Sequence, residues 1–454
     1  MSAINAPRQG IRTFYTIILT QTLSLIGSKI SALAIGIWLY TTTGNATPLA
    51  LVAFFQMVPQ VLLSSFAGVI SDRWNRRLIM AVSDAGQAIG TLLLFLIFVS
   101  GNFEIWHLYL IVVLQSIAGV FQNPALTASV TLLIPDGQRD RANAIMQLAY
   151  PASGVIAPAL AGFVFALVGI EGALIIDLLT FLVAVGVLLS VHIPQPRKTR
   201  KGAENQRGML ADMLTGIRFL WGIKALFWTV MFIALLNLLI SGISVLLTPY
   251  LLARTGSEAT MGVLLSLMNA GMLVGGIGTS IWGGTRPRIH GAIIGVILMS
   301  FFIMTIGLAQ SVPALGVALF LALSPNILVN SAFMTIMQTK VPPDLQGRVF
   351  ATLGQVASML VPFAYLLAGP LADQVFEPAV QTEAWAALAP FFGSETGAGM
   401  GLQIFIYGLL SLIPAVIMYA IPSLRRMEAL LPDYVDEPED DEAATTEPQT
   451  VTAG

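Results

Sequence analysis

Continuous apolar runs recur along this 454-residue chain from about residue 13 to about residue 421, and nothing else in it narrows the fold as sharply. A bilayer core about 30 Å thick needs roughly 20 apolar residues per helical crossing. Runs of that kind are expected at about 13–40, 48–70, 78–99, 106–134, 142–168, 172–193, 225–252, 259–283, 289–310, 313–341, 347–371 and 400–421. A membrane barrel would instead show segments of roughly 10 residues with alternating polarity. In lipid only helices otherwise satisfy their own backbone, so the expected fold class is an all-α polytopic membrane protein with 12 transmembrane helices. With 56% hydrophobic and only 10% charged residues, no soluble core is compatible with the chain. The first run is longer than a signal-peptide core and is closed by no small-residue cleavage site, so it is expected to remain as the first span.

The charges that do occur are sorted. Of 22 Lys and Arg, only Lys29, inside a span, and Arg254, in a loop on the opposite face, fall outside the segments on the N-terminal side of the membrane. The positive-inside rule then puts both termini in the cytoplasm of a multi-pass plasma-membrane protein. The longest internal polar stretch separates an N-terminal six-helix half, 1–193, from a C-terminal one, 225–426, through a cytoplasmic linker, 194–224. Residues 427–454 are rich in Asp and Glu with no Lys or Arg, a composition expected to form a disordered cytoplasmic tail. At a constant shift of 207 residues Gly68 meets Gly275, Asn123 meets Asn330, Pro135 meets Pro342, and Ala161-Gly162 meets Ala368-Gly369. The halves therefore read as two pseudo-symmetric bundles. The loop after the eleventh span carries Trp385, Phe391 and Phe392, which are expected at the membrane interface.

Between the second and third spans, Gly68-x-x-x-Asp72-Arg73-x-x-Arg76-Arg77 packs four charges into a short gap. This spacing resembles the loop signature of the major facilitator superfamily of transporters, with Asn75 where that family usually has Gly. The stretch 121–125, the run from Pro135 to Asn143, the segment Val341-Pro342 to Val349, and Gln21-x-x-Ser24-x-x-Gly27 are similar to the macrolide-efflux-like branch. The resemblance implies two parallel six-helix bundles with a substrate site between them near the bilayer midplane. It also implies a gate in which Asp72 faces the amino end of the eleventh span, Arg73, Arg76 and Arg77 hold neighbouring helix ends, Gly68 permits close packing, and Asp84 is the partner of the loop arginines. Ser153, Ala157, Pro158, Ala161 and Gly162 look like a version of the fifth-helix antiporter motif, a small-residue face along which another helix can approach.

Periodicity selects candidates for the substrate path. Gln21, Ser24, Ser28 and Ser31 recur at intervals of three, four and three on one face of span one. Asn237, Ser241, Ser244 and Thr248 do the same on span seven at intervals of four, three and four. Gln115, Gln122 and Asn123 on span four, with Asn326 and Asn330 on span ten, complete the expected cavity walls. Small polar residues also serve as packing contacts between helices, and that alternative stays open. Lys29 lies about 100° round from Ser28, off the stripe. Lys29 and Asp177 are costly intramembrane charges expected to pair, or to form a proton site.

An enzyme would need a convergent nucleophile, base or metal cluster. There is no Cys, the three His lie at span ends, and no metal-ligand spacing or phosphate-cradling Gly-rich loop occurs. No cofactor, metal or nucleic acid is expected. The implied activity is export of a small amphipathic molecule, a drug, macrolide-like compound or secondary metabolite, by alternating access in a proton-coupled monomer. A siderophore exporter, a lysophospholipid flippase of the same fold, and a non-transporting receptor or scaffold are the alternatives.

Overall fold

The computed structural model describes residues 6–191, 218 and 221–430. Most of the expected linker (194–217 and 219–220) and the tail from 431 onward lie outside the described residues, as do the side chains of Asp72 and Arg73. The first half comprises α1 (Ala6–Thr43), α2 (Thr47–Arg73), α3 (Arg76–Val99), α4 (Ile105–Gly119), α5 (Gln122–Leu133) and α6 (Arg139–Ser190). The second comprises α7 (Lys224–Thr255), α8 (Glu258–Trp282), α9 (Arg288–Leu308), α10 (Val312–Leu323), α11 (Asn326–Lys340), α12 (Pro343–Met359), α13 (Val361–Leu371) and α14 (Ala398–Ala420). Local chemistry sets several of these ends. Asn75 accepts from Leu78 N at 3.2 Å to cap α3, and Ser257 accepts from Thr260 N at 3.2 Å to cap α8. Gly256 and Gly283, both left-handed, close α7 and α8.

Eleven helical segments among the described residues are long and apolar enough to cross a membrane. One of them, α6, holds 52 residues, and at about 1.5 Å per residue it would be far too long for one crossing. The backbone breaks at Gly169 (φ 67, ψ -165). Adjacent residues of α1 touch both arms: Lys29 Nζ donates to Ser153 Oγ at 2.7 Å and Ser28 Oγ to Asp177 Oδ1 at 2.9 Å. Contacts to positions 153 and 177 from neighbouring residues require the helix to fold back. Spans five and six are thus the two arms of α6, which restores the expected count of 12 crossings. Spans four, ten and eleven are each interrupted. The breaks fall between α4 and α5 just before Asn123-Pro124, between α10 and α11 at Ser324-Pro325, and between α12 and α13 just before Pro362. Proline removes a backbone donor and crowds the preceding turn at such places.

We call the membrane face where α1 begins and α14 ends the near side, and the opposite face the far side. The buried apolar clusters differ between them. On the near side one cluster joins Phe14, Ile17, Ile79, Met80 and Leu188 of the first half, and a separate one joins Leu226, Ile293, Ile336, Met418 and Met427 of the second. On the far side a single cluster crosses between the halves, taking Ile37, Ala46 and Ala50 together with Tyr250, Leu251, Ala368 and Ala372. The two bundles are closed against each other at the far side and apart at the near side.

Three peripheral expectations are corrected. Span eleven does not stop at 371 but continues through a π turn, Ala372–Phe376, to Ala379. Trp385 is 3% exposed and Phe392 4%, packed with Ala398 under Leu308 and Phe405, and Trp385 Nε1 donates to Gly393 O at 2.8 Å. These two rings form the core of a small far-side cap because the intervening loop folds onto itself; Phe391 is exposed. At the near side the first residues of the expected tail, Met427–Leu430, form a helical turn. Met427 is fully buried, and Glu428 caps α9 by accepting from Arg288 N at 2.6 Å. Burial and a cap hold these four residues despite the acidic composition that follows.

Candidate functional site

The charged loop does part of what its pattern implies. Arg76 donates to Ala128 O at 2.7 Å and Arg77 to Leu189 O at 2.6 Å, so each guanidinium meets a carbonyl in the last turns of a neighbouring helix. Asn75 has φ -65 and acts as a helix cap, not as a left-handed substitute for Gly. Gly68 has open space around the position a Cβ would take, as does Gly347 at the start of span eleven, in keeping with the separated near side. Asp84 does not partner the loop arginines. It is 0% exposed, and its carboxylate accepts from Gln21 Nε2 at 2.7 Å and from Gln122 Nε2.

That carboxylate begins a polar chain inside the first bundle. Gln122 Nε2 also donates to Gln21 Oε1, and Gln87 Nε2 donates to Gln122 Oε1 at 3.0 Å. Gln115 Nε2 donates to Gln87 O at 3.0 Å and to Thr91 Oγ1 at 3.1 Å. Thr91 Oγ1 in turn donates to Asp177 Oδ2 at 2.9 Å, while Ser28 Oγ of α1 donates to Asp177 Oδ1 at 2.9 Å and Ser31, one turn on, is buried on the same face. The stripe of Gln21, Ser24, Ser28 and Ser31 is a single face, as expected, but it is turned into its own bundle against α3, α5 and α6. Gln115 and Gln122 belong to the same chain. None of these six is a wall of the space between the halves. The physical reason is the two buried carboxylates, which in a low-dielectric interior require every available neutral donor. Asp84, Gln87 and Thr91, spaced three and four apart, form the matching stripe on α3. The same periodicity test applied to that helix finds them.

Lys29 is not on Asp177. Its ammonium donates to Ser153 Oγ at 2.7 Å and to Tyr150 O at 3.3 Å, and stands 3.9 Å from the centre of the Tyr150 ring. The 100° offset from the stripe points Lys29 at the first arm of α6, while Asp177 sits on the second. Tyr150 is 66% exposed, and one turn on Gly154 lies against Asn269 of α8, so this face of α6 looks toward the other half, where Tyr365 of α13 stands beside Ser241 and Ser244 of α7. The second-half stripe accordingly faces span eleven and the gap. Ser244 is exposed, Asn237 Nδ2 donates to Ala357 O at 3.0 Å, and Thr248 approaches Gly36 of α1. Asn123 and Asn330 are exposed, the latter donating to Asn326 Oδ1 at 2.9 Å. Gln56 and Gln60 on α2, four apart and both exposed, present a further polar face that their helical spacing marks in the sequence.

The far-side closure has its own chemistry. Asp373, at the far end of span eleven, accepts from Ala46 N at 2.8 Å, from Thr47 N at 2.7 Å and from Thr47 Oγ1, capping the amino end of α2 in the opposite half. Four residues on, Glu377 accepts from Met400 N at 2.8 Å and caps α14. Along the fifth-helix small-residue face, Ser153, Ala157 and Ala161 are fully buried, and Gly162 lies against the backbone of Glu258 and Ala259 at the start of α8. Gly262 lies reciprocally against Pro158 O, and Ala159 N donates to Ser266 Oγ at 2.9 Å. The motif is therefore the seam between the first half and α8.

Two six-helix bundles joined at one membrane face, parted at the other, with polar groups exposed between them at mid-depth, define a polytopic membrane transporter rather than an enzyme. A model of the Major Facilitator Superfamily matches residues 17–366, and the chain belongs to that family. Among its relatives, macrolide efflux protein A of Streptococcus pyogenes is 26% identical over 370 residues, 80% of this chain and 90% of that one. The multidrug efflux pump Tap of Mycolicibacterium fortuitum is 25% identical over 359 residues, 73% of this chain and 82% of that one. The fold is also that of a bacterial homologue of the human lysosomal transporter Spinster in an inward-facing, unoccupied conformation. That structure has a TM-score of 0.71 at 15% identity, with 94% of this chain and 99% of that one covered. An inward-facing bacterial homologue of the iron transporter ferroportin gives a TM-score of 0.64 at 15% identity, with 90% and 98% covered.

Proposed function

We propose that the protein exports a small amphipathic molecule, a drug, macrolide-like compound or secondary metabolite, by alternating access as a proton-coupled monomer with both termini in the cytoplasm. The observation that carries this reading is the asymmetric closure: one apolar cluster bridges the halves at the far side, while two separate clusters lie at the near side. With the near side cytoplasmic, this is the state that loads cargo from inside the cell. The efflux function of the named relatives supports the direction. Asp84 and Asp177, each buried among neutral donors, support proton coupling, since a carboxylate without a cation beside it gains or loses a proton without breaking an ion pair.

In the proposed cycle, cargo enters from the near side between α1, α7 and the interrupted spans. The near side then closes, the Asp373 cap and the Gly162–Gly262 seam part, and release occurs at the far side. The test is flux in proteoliposomes carrying an imposed proton gradient, using erythromycin and a panel of fluorescent amphipaths of different charge. Flux of at least one compound above protein-free vesicles, abolished by a protonophore, is expected. Flux that is unchanged by the gradient removes the coupling, and none for any compound removes the transport reading.

A further inference from the structure

The charged groups of the first half are unequally provided for. Both oxygens of Asp84 and both of Asp177 are occupied by side-chain donors from Gln, Ser and Thr. Lys29, on the same helix as two of those donors, has no carboxylate beside it among the described residues. Its contacts are one hydroxyl, one backbone carbonyl and the face of one ring. The hydroxyl of Ser153 is itself committed, donating to Tyr150 O at 2.7 Å, so its lone pair is what Lys29 receives. The ring contact holds the ammonium beside the largely exposed Tyr150, on the face of α6 that meets the second half where Gly154 lies against Asn269 of α8; Tyr365, Ser241 and Ser244 belong to the wall of that half nearest Tyr150. A cation held at mid-membrane by neutral partners alone is expensive, and it is tolerated where a ligand or water-filled path completes its shell.

We propose that Lys29 is the charge-reading residue of the substrate site, and that the site takes an amphipathic molecule carrying an anionic group, a carboxylate or its equivalent, rather than a cationic one. The inference rests on the transport reading above and narrows its substrate class. The anionic group would sit against the Lys29 ammonium. The apolar body would lie along Tyr150 and the second-half wall, and Tyr365, Ser241 and Ser244 would offer hydrogen bonds to neutral oxygens. A cationic group would meet an uncompensated positive charge. The carboxylates nearest to hand, Asp84 and Asp177, are turned into the first bundle, where the Gln, Ser and Thr chain occupies them.

The test is equilibrium binding of three matched probes to the purified full-length protein: a dansylated undecanoic acid, its primary amide, and its dimethylaminopropyl amide. The acid should bind at least about tenfold tighter than either of the others, the size expected for one charge-assisted hydrogen bond. That preference should vanish in Lys29→Met and persist in Lys29→Arg, with each variant's thermal melting recorded alongside. Equal binding of acid and amide, tighter binding of the cation, binding of none of the three, or a preference that survives in Lys29→Met each overturns the proposal. If a variant does not fold, the comparison of the three probes on the unaltered protein still decides. Because binding is read without flux, a protein that binds the acid selectively but moves nothing contradicts the transport reading and leaves this one standing.

Discussion

Replacing Asp373 with Ala should open the far side of the protein. The carboxylate accepts two backbone N–H groups and one hydroxyl at the amino end of α2, joining the last turn of span eleven to the other half of the molecule. Hydrogen bonds to a charged group contribute about 1.5 to 3 kcal/mol each when partly buried, and the helix dipole adds to them. Water replaces part of this on opening, so a net loss of about 2 to 3 kcal/mol is expected, or roughly 30- to 150-fold in the closed-to-open ratio. The measurement is the labelling rate of a single cysteine in this Cys-free chain, Ile37→Cys, by a membrane-impermeant maleimide added from the far side. Ile37 is 0% exposed within the cluster that bridges the halves, so labelling reports opening. A rate in the Asp373→Ala background within about twofold of its parent would show that the cap does not hold the halves together; such a change is only about 0.4 kcal/mol.

Adding a side chain at the α6–α8 seam should stop the cycle from the other direction. A Cβ on Gly162 would overlap backbone atoms of Glu258 and Ala259, and one on Gly262 would overlap Pro158 O. Backbone cannot rotate away as a side-chain tip can, so the helices must separate. Overpacking of this kind costs about 1 to 3 kcal/mol, and more when the clash is with main chain. Gly162→Val and Gly262→Val should each lower flux by more than about tenfold, while the protein still inserts and each bundle keeps its own core. Gly278→Ala is the comparison: it lies on the same helix as Gly262, and a Cβ there meets nothing within 4 Å. Wild-type flux in Gly162→Val would mean that this close approach plays no part in closure.

The sequence made the class of fold, the number of crossings and the two-half repeat legible because long apolar runs and the distribution of Lys and Arg are direct responses to a bilayer. It was less informative about partners. The stripe on α1 was correctly a single face, but a helical period says which residues share a face and not which neighbour that face meets. Two buried acids on α3 and α6 drew it inward. Lys29 was correctly off that stripe, yet its neighbour is the first arm of α6 and not the arm that carries Asp177, because both arms of one hairpin flank α1. Asp373 left no signal at all: its partners, Ala46 and Thr47, are more than 300 positions away, and an acid in a far-side loop reads as ordinary solvation. Within the charged loop, Arg76 and Arg77 met helix ends as the family pattern implied, while Asp84, eight residues into α3 from Arg76, faced the bundle interior.

The central claim is that the two halves must part at the far side during each cycle. A Cβ on Gly36 of α1 would stand 3.7 Å from Thr248 Cγ2 of α7, across the closed far side, so Cys side chains at the two positions would meet there. The double variant Gly36→Cys/Thr248→Cys, reconstituted in proteoliposomes, can be oxidised, assayed with the best-transported compound of the panel, then reduced and assayed again. Alternating access predicts that complete cross-linking, read by gel mobility, abolishes flux and that reduction restores it. Undiminished flux through the fully cross-linked protein would contradict the account.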